Sequence, residues 1–110
     1  MFRHRNGMWH WNGVALPLSA MERAVLTGLI RYPGQERAPE RWVALGLGHM
    51  VSPRTGDVVM RILQRQLTWL GLPERLIEVD LGSGARMDSA VEVADDLATL
   101  AALTEDTAIR

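Results

Sequence analysis

Arg54, Arg61 and Arg65 stand seven and four residues apart, a spacing that brings three guanidiniums to one face of a helix. Such a row suits phosphate oxygens or a guanine edge, because each guanidinium is a planar fork of donors that meets two acceptors at once. The plain alternative is a solvated helix face. All twelve basic residues are arginine and none is lysine. GC-rich codon usage is the expected cause, and the bias also equips every cation for forked contacts.

Other chemistries find little support. His4, His10 and His49 are scattered, with no carboxylate at the spacing of a helical His-Glu-x-x-His pair, so no metal site is expected. Ser19, Ser52 and Ser89 all read as helix caps, which leaves Ser83 without a histidine nearby in sequence to activate it. Gly82-Ser83-Gly84 lacks the extended glycine pattern and the helical lysine of a nucleotide loop. With no cysteine, thiol catalysis, disulfides and cysteine-ligated metals drop out. Neither an enzyme nor a cofactor is expected. Trp9 and Trp11, two apart on a strand, share a face that either stacks bases or packs on the first helix, and packing is the expectation; Trp42 and Trp69 read as core or helix packing.

These residues need a scaffold. A chain of 110 residues with 47% apolar content is one small domain with enough material for a core. Its apolar runs are too short to span a membrane, and Met1-Phe2-Arg3-His4-Arg5 leads into no signal segment, so a cytoplasmic protein is expected. Asn12-Gly13 between strand-forming segments predicts a tight hairpin, making residues 1 to 18 a small antiparallel sheet. Ser19-Ala20-Met21-Glu22 is a capping box that opens a helix with the apolar spacing Met21, Val25, Leu26, Leu29 and Ile30. Pro39 opens a second, shorter helix closing at Gly46 or Gly48. Ser52-Pro53 caps a third, in which the apolar positions Val59, Met60, Leu63, Leu67 and Leu70 recur every three to four residues until Gly71 ends it. Leu76 to Leu81 alternates as a strand, turns at Gly82-Ser83-Gly84 and returns through Ala85-Arg86-Met87.

Charge divides the chain. Residues 1–87 hold eleven arginines against seven acids, whereas residues 88–110 hold six acids against Arg110 alone. Ser89-Ala90-Val91-Glu92 reads as a second capping box, and Ala90, Val93, Ala94, Leu97, Leu100 and Ala101 trace one face of an acidic tail helix. That tail is expected to pack on its own domain, to dimerise, or to mask the arginine face.

Strands, three helices and a hairpin form the element order of a winged helix-turn-helix. Leu16-Pro17-Leu18-Ser19-Ala20-Met21-Glu22, Leu29-Ile30-Arg31-Tyr32-Pro33-Gly34, Val51-Ser52-Pro53-Arg54-Thr55-Gly56-Asp57-Val58 and Leu81-Gly82-Ser83-Gly84-Ala85-Arg86-Met87 together resemble the DNA-binding effector domain of OmpR/PhoB-type response regulators. The resemblance runs from about Trp9 to Met87 and includes no receiver domain. It implies an α+β fold: N-terminal antiparallel strands, three helices and a wing hairpin over residues 1–87, followed here by the extra acidic helix or tail, 88–110. It also implies that Arg54, Thr55, Arg61 and Arg65 face DNA, that Arg86 is the wing arginine, that Gly82 and Gly84 let the wing turn, and that Asp57 orients local contacts or ion-pairs with a neighbouring arginine. Val59, Ile62, Glu78, Leu81 and Ala85 depart from the family pattern, and the wing has lost most of its positive charge.

The expected function is that of a transcription regulator binding double-stranded DNA, with helix 53–70 in the major groove and wing 76–87 on the adjacent groove, as a monomer or as a homodimer on paired half-sites. The alternative is a module of the same fold that binds RNA polymerase or another regulator. It rests on the discharged wing and on Val59 and Ile62, which the groove-facing helix would expose.

Overall fold

The computed structural model describes residues 1–80 and 84–93. Among these residues it is a small α+β fold of three α-helices and antiparallel strands. Strands β1 (Phe2–Arg5), β2 (Met8–Trp11) and β3 (Val14–Ala15) form one sheet in that order. Both connections are two-residue Asn-Gly turns: Asn6-Gly7 joins Arg5 to its partner Met8, and Asn12-Gly13 joins Trp11 to Val14. All four turn residues have positive φ, the mirror-image turn that matches strand twist and that Asn-Gly tolerates best.

Helix α1 (Ala20–Arg31) begins at the expected box, with the Ser19 hydroxyl accepting from the Glu22 amide and the Glu22 carboxylate accepting from the Ser19 amide. Of that apolar spacing, Val25, Leu26, Leu29 and Ile30 are buried, while Met21 is exposed. Helix α2 (Pro39–Leu47) closes at Gly48 in the left-handed conformation, the later of the two expected ends. Helix α3 (Pro53–Trp69) is capped by Ser52 and ends one residue before the expected Leu70. It buries Val59, Met60, Leu63 and Leu67.

A single turn of 3-10 helix (Glu74–Leu76) takes the first residue of the expected strand, which leaves β4 as Ile77–Asp80, paired antiparallel with β5 (Gly84–Met87). Leu81, Gly82 and Ser83 lie outside the described residues. The loop between α1 and α2 runs along the free edge of β5, where Arg37 and Ala85 exchange both backbone hydrogen bonds and the Gly34 amide donates to the Met87 carbonyl.

Helix α2 packs against both α1 and α3. Gly46 and Gly56 permit this: a Cβ at Gly46 would stand 2.8 Å from the Ala24 carbonyl carbon, and one at Gly56 would stand 2.3 Å from Glu40 Cα. Two buried tryptophans tie the layers together. Trp9 donates to the Thr27 hydroxyl on α1 at 2.9 Å, as its packing role predicts, and Trp42 donates to the Ala85 carbonyl at 2.6 Å. Among the described residues, every buried side-chain polar atom has a hydrogen-bond partner.

The expected tail helix does not start at Ser89. Ser89 and Ala90 form a turn in which the Asp88 carboxylate accepts from the Ala90 amide. Val93 then forms a parallel bridge to Phe2, and the Phe2 amide donates to the Glu92 carbonyl at 2.9 Å. The edge of β1 offers Phe2's unpaired amide, and extended backbone satisfies it where a helical first turn would not. The remainder of the expected helix, 94–110, lies outside the described residues. Among the described residues, no helix is long and apolar enough to cross a membrane.

Candidate functional site

Helix α3 is positioned by its buried side and displays the opposite one. With Gly56, Val59, Met60, Leu63 and Leu67 inward, the 3.6-residue repeat turns Arg54, Val58, Ile62, Arg65 and Trp69 outward, and all five are exposed. Ser52 fixes the first turn: its hydroxyl accepts from the Thr55 amide at 3.1 Å and donates to the Thr55 hydroxyl at 2.9 Å. Thr55 is exposed, but its hydroxyl is already engaged in the cap.

The three arginines of the row differ in their surroundings. Arg54 and Arg65 are exposed and form no ion pair among the described residues. Arg61 is half-buried, and its Nε donates to both Asp57 carboxylate oxygens at 3.1 Å, one helical turn away. Asp57 is therefore the ion-pair partner that one of its two readings named. The pair holds the Arg61 side chain along the helix, and the two terminal nitrogens keep no protein partner among the described residues.

Arg86 is the clearest departure from the expected site. Pairing of β4 with β5 sets Glu78 directly opposite Arg86. Asp80 lies two residues further along β4, on the same face. Arg86 bonds to Glu78, to Asp80 at 3.3 Å and to Glu36, from the loop before α2, at 3.1 Å. These carboxylates, Glu78 foremost, hold the guanidinium above its ordinary pKa. This cation is thus surrounded by three acids, and the hairpin presents net negative charge. Gly84 has φ +124°, and a Cβ there would stand 2.7 Å from the Arg37 carbonyl oxygen, so this glycine admits the α1–α2 loop as well as shaping the hairpin.

Two hydrophobic expectations are also corrected. Val59 is 7% exposed and belongs to the core; the residues α3 shows to solvent are Val58 at 49% and Ile62 at 51%. Trp69, expected to pack, is 85% exposed. The sequence contained a signal for this, since Trp69 lies seven residues after Ile62 and four after Arg65, on the outward strip rather than the inward one. Trp69 borders an open groove between α3 and the hairpin, lined also by Arg61, Arg65, Arg75, Glu78 and Asp80.

Fold and site together define a small α+β protein whose third helix presents a mixed cationic and apolar outer face. The chain matches no family model. No curated protein matches it either.

Proposed function

We propose that the chain is a winged helix-turn-helix module that binds double-stranded DNA through α3 and regulates transcription by that binding, without catalysis. The observation that carries this reading is the outward face of α3, where Arg54 and Arg65 are exposed and the half-buried Arg61, held along the helix by Asp57, lies beside them below a capped N-terminus. Close packing of α2 on the first turn of α3, at Gly56, supports the reading, because a helix-turn-helix packs its first helix against its second. The hairpin β4–β5 supplies shape rather than charge, because Arg86 is held by its own carboxylates.

Affinity therefore depends on few cations. Three phosphate contacts give a slope of about −3 when the logarithm of the binding constant is plotted against that of salt concentration. Titration of a labelled duplex over a salt series measures it. Arg54→Ala and Arg65→Ala each reduce the slope by about one unit, and Arg86→Gln leaves it unchanged. No binding at low salt, or no loss in an Arg61→Ala/Arg65→Ala double variant, overturns the proposal.

A second reading is favoured by Trp69. A tryptophan exposed to 85% is a poor surface residue and a strong anchor for a protein partner such as RNA polymerase or another regulator. Pull-down with and without nuclease separates the two readings: an association bridged by DNA disappears on digestion, and a direct one survives.

A further inference from the structure

Val58 and Ile62 are not used by the fold. Both are about half exposed, while the neighbouring Val59 and Leu63 take the buried positions. On the helical repeat, Val58, Ile62, Arg65 and Trp69 fall within a strip about 60° wide, bordered on one side by Arg54 and Arg61. An apolar row thus runs alongside a cationic one. The cations define its occupant: a polyanion whose accessible floor carries apolar groups.

The major groove of duplex DNA has that composition. Its walls are phosphate, and its floor offers one protruding apolar group, the C5 methyl of thymine. Valine and isoleucine cannot donate to or accept from a base edge, so at these positions they discriminate only by contact. Their β-branched side chains also hold one preferred χ1 in a helix, which keeps the contacting methyls in place before binding. Four residues along a helix rise about 6 Å, close to two base steps of about 3.4 Å each.

Resting on the DNA-binding reading above, we propose that Val58 and Ile62 are specificity residues that contact thymine methyls about two base pairs apart. A duplex of alternating adenine and thymine presents a methyl on each strand at every second step. Replacing its thymines by uracil removes those methyls and leaves charge and base pairing in place.

The test compares full-length protein on the alternating A·T duplex and on its uracil counterpart at low salt. Loss of two buried methyl contacts weakens binding to the uracil duplex by about tenfold. The Val58→Ala/Ile62→Ala variant binds both duplexes equally, at about the affinity of the original chain for the uracil duplex. Because both side chains are exposed, its thermal midpoint stays near that of the original chain. Equal binding of both duplexes by the original chain overturns the inference and leaves DNA binding intact. So does a thymine preference that persists in the double variant. Failure to bind either duplex at low salt removes the DNA reading together with this one and leaves the face to a protein partner.

Discussion

At the residue scale, Arg86 shows how a local pairing redirects a side chain that looks functional. The hairpin register alone places Glu78 opposite it, and Glu36 comes from fifty residues earlier in the chain. Because the pKa of Arg86 is raised in the folded chain, its contribution to stability is fully present below the unfolded value and is lost only as pH rises through the higher folded one. From neutral into mildly alkaline solution that contribution is constant. Replacing Arg86 by Gln lowers the thermal midpoint by the same amount across that range, and by less in high salt, because these pairs are solvent-exposed and screened. Thermal melts over pH and salt check both statements. Trp69 makes the opposite point: a large aromatic residue is expected inside by type, yet helical phase places it outside.

At the scale of elements, the sequence signals that were obeyed are those whose partners lie within a few residues. The Ser19 box, the Ser52 cap and the Asn12-Gly13 turn all form, since each is completed by its own neighbours. Ser89-Ala90-Val91-Glu92 repeats the Ser-x-x-Glu pattern of the Ser19 box, and the open edge of β1 overrides it. Gly56 carries a requirement that no local pattern expresses. In isolation, alanine there would favour the helix by about 1 kcal/mol. Instead, a Cβ would overlap Glu40 backbone atoms that cannot swing away. Gly56→Ala is therefore expected to destabilise the protein by about 1–3 kcal/mol, the usual cost of overpacking, and to separate α2 from α3. Chemical denaturation measures the loss. The same variant weakens binding to DNA if the α2–α3 crossing presents the arginine row.

At the scale of the molecule, Phe2 links parts of the chain that are far apart in sequence. It is fully buried, meets Trp9 and Trp11 edge-on at 6.0 and 4.9 Å between ring centroids, and bridges to Val93. Phe2→Ala leaves a cavity under the sheet and is expected to cost about 3–5 kcal/mol. Denaturant unfolding measures that cost, and hydrogen exchange should show faster amide exchange at residue 2 and along β2. An unchanged midpoint would mean that the first strand does not belong to the cooperative core.

By itself, the sequence determined the α+β class, the order of an N-terminal sheet, three helices and a hairpin, most helix ends and the inward side of α3, because periodicity and capping are local properties of the chain. The arginine row was legible for the same reason. Tertiary structure alone decided which cations remain available and what accompanies them. Glu36, Glu78 and Asp80 converge on Arg86 only after strand pairing and the α1–α2 loop bring them together. Val58, Ile62 and Trp69 join the cationic face only because α2 and the hairpin pack against the rest of α3. Contacts across tens of residues are set by the close approach of whole elements, and that information is spread over glycines, core volumes and strand edges rather than written at any one position.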